Sequence, residues 1–376
     1  MNNADIIVIG GGIAGLSAAA ELAADANVLV LEMETQPGYH ASGRSAAYFA
    51  AAYGKKVVRE ITGYCGNFLL DPPAGFSEAP FLRPRDCMFF AREDQAASLE
   101  AMLADNPRLE FVDAGQVRKR VPVFTEGYLH GAAWDRMGGD LDVDALLQAY
   151  LRQLRRRGGE FLGGRRVSSL ERRGGRWRVM AGESVFEAPV VVNAAGGWAE
   201  QLGGMAGLEP LGIKPLRRTA LTIDAPDGMD IDDWPEMVDV DEEFYFKPEA
   251  GRIMISPADE TETEPCDAQP EDLDVAMGVY RYEQATGLDI RRVRSRWAGL
   301  RTFAPDRLFV TGFDPRCEGF FWLAGQGGYG VQSAAAMAVL TRYLVTGAAP
   351  QGDFAPITRF VPDVSPERLL TPTTGS

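Results

Sequence analysis

Asp5-Ile-Ile-Val-Ile-Gly-Gly-Gly-Ile-Ala-Gly15 decides the fold of this chain. An apolar β-run ends at Gly10, and Gly10, Gly12 and Gly15 keep the GxGxxG spacing. Leu16–Ala24 then reads as an alanine-rich helix, and Asn27-Val-Leu-Val-Leu-Glu32 as a second strand. Strand, glycine turn, helix and strand make a βαβ unit. Gly10 permits the tight turn, Gly12 lets backbone approach a pyrophosphate, and Gly15 lets the helix pack on the strand. The pyrophosphate would sit at a helix N-terminus, where free N–H groups and the dipole favour an anion. Glu32 follows about 20 residues on, where an acid accepts a hydrogen bond from a ribose hydroxyl. That acid repels a 2′-phosphate, so the expected ligand is a dinucleotide other than NADP.

Length and charge bound the rest. At 376 residues the chain can bury a large core and is expected to hold two domains. A net charge of −15 argues against nucleic acid and anionic membranes. Met1-Asn-Asn-Ala-Asp5 lacks a basic leader and no apolar run suits a membrane span, so a cytoplasmic protein is expected. Cys65, Cys87, Cys266 and Cys317 are scattered, with no CxxC pair. They read as free thiols in a reducing compartment, and no metal site is expected. His40 and His130 are the only histidines. His40, near the nucleotide, is expected to touch the cofactor, and His130 to be structural. A Ser-His-Asp triad or a histidine-rich metal centre does not fit.

Further along, Gln36–Ala47 reads as a loop running into a helix at Ala46, with Ser45 near its N-cap. Asp142 reads as the N-cap of a helix Val143–Arg156 that stops at Gly158-Gly159. Pro189-Val-Val-Val-Asn193 is a buried strand ending in the small-residue turn Ala194-Ala-Gly-Gly-Trp198. The middle segment carries strands at Thr219–Ile223, Phe244–Phe246 and Ile253–Ile255, a helix near Pro270–Thr286, and an acidic surface around Asp224–Glu243. Ala324-Gly-Gln-Gly-Gly-Tyr-Gly-Val-Gln332 is a second glycine-rich turn and the helix Ser333–Tyr343 follows it; a start as early as about Gly328–Val331 would aim the helix N-terminus at the site. The tail after Gly347 reads as a surface arm.

Four residues stand out as chemistry. Arg301 lies in the apolar, strand-like Trp297-Ala-Gly-Leu-Arg-Thr-Phe303, and a buried guanidinium suits a bidentate carboxylate. Arg217 and Arg218 begin a strand, and one of them is expected to face the same site. Tyr245 should point away from the face its neighbours Phe244 and Phe246 occupy.

On Val8–Gly15, Gly38–Ala47, Val192–Gly196, Phe244–Pro248, Trp297–Arg301 and Gln326–Gly330, the chain resembles the D-amino-acid oxidase / glycine oxidase superfamily of FAD enzymes. It is most similar to the bacterial D-arginine dehydrogenase-like branch. The resemblance implies an α/β (α+β) fold: a Rossmann-type FAD-binding domain with a second substrate domain built on a mixed β-sheet. It divides the chain into 1–47, 140–211 and 298–376 for FAD, and 48–139 and 212–297 for substrate and lid. It implies FAD contacts from Gly10, Gly12, Ile13, Ala14, Gly15, Glu32, Met33, Arg44, Ser45, Ala46, Ala47, Val167, Ala195, Gly196 and Trp198. The C-terminal contacts implied are Arg301, Gly327, Gly328, Tyr329, Gly330, Val331 and Gln332. The catalytic set implied is Arg301, Tyr245, Arg218 and Tyr53, with Tyr48, Ala50, Cys87 and Gly328 lining the substrate pocket.

Relatives that take cationic D-amino acids carry a carboxylate, a His and a Thr where this chain has Cys87, Tyr48 and Ala50. Burying an unpaired guanidinium there is costly. The expected substrate is thus a neutral, hydrophobic D-amino acid, oxidised to the 2-oxo acid and ammonia by hydride transfer to the flavin. Gly312 replaces the cysteine that carries flavin in some relatives, so non-covalent FAD is expected. The electron acceptor, quinone or oxygen, stays open. Oxidation of a secondary amine such as sarcosine, glycine or D-proline, and a non-catalytic flavoprotein subunit, are the alternative functions.

Overall fold

The computed structural model describes residues 3–370. The opening motif starts a six-stranded sheet in the order Val310–Phe313, Phe320–Ala324, Val190–Asn193, Ile6–Ile9, Val28–Leu31, Glu160–Leu162. Every neighbour runs parallel except the edge strand Val310–Phe313. Parallel strands need covered faces, and the alternation of side chains supplies both. Ile6, Val8, Val28 and Val30 face one cluster with the helices Ile13–Leu22, Val143–Arg156 and Ala334–Thr346. Ile7, Ile9, Leu29 and Leu31 face the other way, onto Trp177, Val179 and Phe186 of a three-stranded meander. Each fully buried Val, Ile or Leu contributes roughly 1.5–3 kcal/mol. The helix Val143–Arg156 begins as expected: the Asp142 carboxylate accepts from the Ala145 N–H at 2.9 Å.

A nine-stranded, mostly antiparallel sheet stands over the first. Its members nearest the site are Val293–Phe303, Lys214–Asp224, Arg252–Ser256, Tyr245–Glu249, Glu236–Asp239 and Cys87–Ala91. One face carries Leu221, Met237, Phe246 and Ile255 under the helix Asp272–Thr286. The residues between them, Arg218, Ala220, Glu236, Val238 and Tyr245, face the cavity below. The strand Val293–Phe303 pairs throughout with Lys214–Asp224, so it runs across the expected domain boundary at 297/298.

Four local expectations are corrected. No helix begins at Ala46: a short 3-10 turn, Ser42–Arg44, leads to the strand Tyr48–Phe49. Ser45 Oγ accepts instead from the Ala47 N–H at 3.1 Å, holding Ala47 at φ 53°. The C-terminal helix starts at Ala334 behind Ser333, in line with the expected Ser333–Tyr343, but not as early as Gly328–Val331, because residues 328–333 are turns. The tail packs back, burying Ile357, Phe360 and Val364 in the helix-side core; 371–376 lie outside the described residues. Finally, the acidic stretch contains a buried strand, Glu236–Asp239, whose apolar Met237 binds it to the core.

Candidate active site

Gly10 closes the first strand at φ 113°, a conformation that favours glycine. A Cβ there would lie 2.3 Å from the Ala194 carbonyl oxygen. Gly15 does not line the cavity. Its missing Cβ lets the helix ride on Gly10, whose carbonyl oxygen would stand only 1.9 Å from that atom. The Ile13 N–H, at the helix start, donates to Ser42 Oγ at 2.9 Å. Glu32 is buried, and its carboxylate accepts from the Gly11 and Glu34 N–H groups. Burial raises its pKa, and those two backbone bonds oppose the rise.

From this end a single cavity runs to the underside of the nine-stranded sheet. Gly10, Gly12, Ile13, Ala14, Glu32, Met33, Arg44, Ser45, Ala46 and Ala47 line it, with Val167, Ala195, Gly196 and Trp198. Gly327, Gly328, Gly330, Val331 and Gln332 line it from the C-terminal turn. Tyr329 does not: its hydroxyl donates to the Arg307 carbonyl and its ring packs on Phe303 and Phe309. Gln332 does more than touch the cavity. Its amide exchanges hydrogen bonds with the Ala50 N–H (2.9 Å) and C=O (3.2 Å), fixing the segment that carries Tyr48 and Tyr53. His40 lines the nucleotide end, bonded to Glu34 at 3.0 Å and packed against Trp198. His130 lies elsewhere, on Glu93.

At the roofed end Arg301 is the central group. Its Nη1 and Nη2 donate to Tyr53 Oη (3.5 Å) and Tyr245 Oη (3.3 Å). It forms no ion pair among the described residues. Burial works against its charge, but Tyr245, Tyr53, Glu242 and Glu260 around it outweigh that and hold its pKa above the usual arginine value. The guanidinium lies on Gly328, where a Cβ would come within 2.8 Å of Nη1. Arg218 lines the same cavity but is already paired with Glu260 at 3.0 Å. Arg217 points to the opposite face, onto Glu271 and Asp274.

Tyr48 and Ala50 line the cavity as expected, and Cys87 does not. Cys87 is fully buried, in a cluster that Tyr48 packs against. Its neighbour across the ladder, Glu236, lines the cavity instead, and Glu242 joins it. The expectation of a pocket without a carboxylate is therefore corrected. Glu236 was hidden in sequence by the acidic residues around it; the apolar Met237-Val238 beside it was the available signal. Cys317, remote from the cavity, packs under the meander.

A glycine-turned βαβ clamp with a buried acid at one end, and a roofed, unpaired arginine at the other, define a dinucleotide-dependent oxidoreductase. The chain belongs to the DAO family of FAD-dependent oxidoreductases, whose model matches residues 5–344. It is 26% identical over 275 residues to a hydrogen cyanide synthase subunit of Pseudomonas aeruginosa, covering 70% of this chain and 64% of that protein. The chain spans about half to two thirds of the length of the curated relatives that lead its matches. Glycine oxidase from Geobacillus kaustophilus superposes with a TM-score of 0.82 at 21% identity, over 95% of this chain and 98% of that one. FAD-bound L-α-glycerophosphate oxidase from Mycoplasma pneumoniae gives 0.81 at 15%, over 92% and 95%. The cofactor is FAD, and the cavity fits it: the close backbone at Gly10 and the Glu32 carboxylate stand at one end of a cavity continuous with Arg301. Among the described residues no helix is long and apolar enough to cross a membrane.

Proposed function

We propose that the chain oxidises a D-amino acid, held by its α-carboxylate on Arg301, to the 2-oxo acid and ammonia. One observation carries this reading: a half-buried guanidinium without an ion pair among the described residues, beside two tyrosine hydroxyls, in the cavity that also holds the nucleotide clamp. A bidentate carboxylate supplies the missing charge and uses the planar fork. Tyr53 and Tyr245 fix the plane of that fork, and Gly328 leaves it room. Ala220, Val238 and Phe89 wall the space with apolar groups that keep water from the reacting carbon. FAD, when bound, accepts the two electrons that leave the substrate. The substrate loses two protons with them, and water hydrolyses the imino acid to the 2-oxo acid and ammonia. Neither histidine is needed: the amine enters neutral, and orientation comes from the clamp. The D configuration follows the resemblance of the motifs. Parallel incubations with D- and L-amino acids, glycine, sarcosine and D-proline, assayed for 2-oxo acid and ammonia, test it. Equimolar products from a D-amino acid are expected. Products only from L-amino acids or from secondary amines would overturn the assignment.

A further inference from the structure

The cavity roof contains a carboxylate without a partner. Asp135 pairs with Cys87 across the sheet, and Cys87 with Glu236. Lys247 stands next, one step past the pair Met237–Phe246. All four are buried, and of the four only Glu236 lines the cavity. The nearby charges are otherwise satisfied. The Lys247 ammonium pairs with Asp140 (3.2 Å) and Glu249 (2.5 Å), and Arg85 Nε donates to Asp140 at 2.7 Å. Asp135 accepts from the Met137 N–H at 2.9 Å. Two cations thus meet two anions, Asp140 and Glu249. The Glu236 carboxylate has neither hydrogen bond nor ion pair among the described residues. Burial, with Lys247 opposing and Asp140 adding, pushes its carboxyl up to about 8. An uncompensated buried carboxylate is costly, and such groups concentrate at functional sites.

We propose that Glu236 receives a cationic group at the end of the substrate side chain, making the substrate a basic amino acid. This rests on the Arg301 clamp. Tyr245, whose hydroxyl meets Arg301, stands opposite Val238. Glu236 lies two residues along the same face, about 7 Å further on by strand geometry. The α-amine, neutral when the substrate reacts, adjoins the carboxylate held at Arg301 and does not reach that far. A terminal ammonium or guanidinium does, with its methylenes along Val238. Glu242, which takes φ 56° and lines the same cavity, adds negative charge.

The test compares isosteres: arginine with citrulline and lysine with norleucine, in whichever enantiomer reduces the flavin. Wild-type kcat/KM should favour each cation by more than about tenfold, as expected for a hydrogen bond to a charged group. In Glu236→Gln the ratio should fall towards one, chiefly through KM for the cation. The wild-type arginine/citrulline ratio should also climb as pH rises through about 8, where Glu236 ionises, and stay flat in the variant. The groups packed around Glu236 are Asp135, Cys87, Lys247, Tyr48 and Asp140, with Arg85 behind and Arg301 in the same cavity. Citrulline as reference cancels whatever they contribute equally to both ligands. A wild-type ratio near one overturns the proposal, and so does a ratio that Glu236→Gln leaves in place; either result keeps the Arg301 clamp. If the variant does not fold, the wild-type ratio and its pH dependence still decide. Failure of every amino acid to reduce the flavin overturns the clamp reading and this proposal together.

Discussion

Replacing Arg301 by alanine should abolish most of the catalysis while leaving the fold and the flavin in place. The guanidinium is half-buried against the cavity, makes two hydrogen bonds to tyrosines at 3.3 and 3.5 Å, and has no ion pair among the described residues. Its charge is therefore free for the substrate. Truncating one member of a buried ion pair costs about 3–5 kcal/mol. At 1.36 kcal/mol per tenfold, that is a fall in kcat/KM of about 10² to 10⁴. The free protein should respond differently. It loses a charge that Glu242 and Glu260 favour but no ion pair anchors, so any fall in Tm should be small beside the fall in kcat/KM. Arg301→Lys keeps the charge but loses the fork, and should fall between wild type and alanine. The assay is steady-state kcat/KM beside a thermal melt and a flavin absorbance spectrum on the same preparations. Activity within threefold of wild type, with FAD retained, would refute the reasoning and move the carboxylate site elsewhere.

Gly328→Ala should lower kcat/KM by tens of fold at nearly unchanged Tm. The added Cβ, 2.8 Å from Nη1, displaces the guanidinium, and a misplacement of about 1 Å can cost on the order of a hundredfold; equal activity would show the guanidinium has slack. Glu32→Ala should weaken FAD retention about tenfold or more, read as FAD released on dilution, because an acceptor for a ribose hydroxyl is lost. Unchanged retention would remove Glu32 from the cofactor site. Glu236→Gln should raise stability, and more at high pH. The folded carboxyl titrates at about 8 against an ordinary 4.5, so the wild type loses stability as pH rises between those values. The variant lacks that loss, and its Tm advantage should grow from pH 5 to pH 8.5; an advantage equal at both pH values would contradict the shift.

The nucleotide end was legible because its requirements are local. The strand, the three glycines and Glu32 occur in one short stretch, and each has a steric or charge reason to be where it is. The helix Val143–Arg156 was legible for the same reason, with its cap and its stop both in the sequence. The roof was harder to read. Arg301, Tyr53 and Tyr245 come from three distant segments, and nothing in their spacing shows that they meet. Cys87 and Glu236 illustrate the loss most plainly. Position 87 was expected to set the side-chain pocket, yet Cys87 is sealed in the core while its ladder partner Glu236 lines the cavity. Which of two adjacent strands presents its side chain to a cavity depends on what covers it, here Tyr48 and its cluster, and no periodicity records that. The tail after Gly347 reads as an arm on its Pro and Gly content, yet Ile357, Phe360 and Val364 anchor it in the core.

The central claim is that an amino acid held on Arg301 gives its electrons to FAD in this cavity. Anaerobic stopped-flow mixing of the holoprotein with D-amino acids, followed by the flavin absorbance, tests it most directly. The account predicts full bleaching of wild-type flavin by at least one D-amino acid, at a rate that saturates with concentration. In Arg301→Ala the apparent Kd should rise or the limiting rate fall, together by about two orders of magnitude or more. A wild-type flavin that stays oxidised with every D-amino acid, or an Arg301→Ala protein that bleaches as fast as wild type, would contradict it.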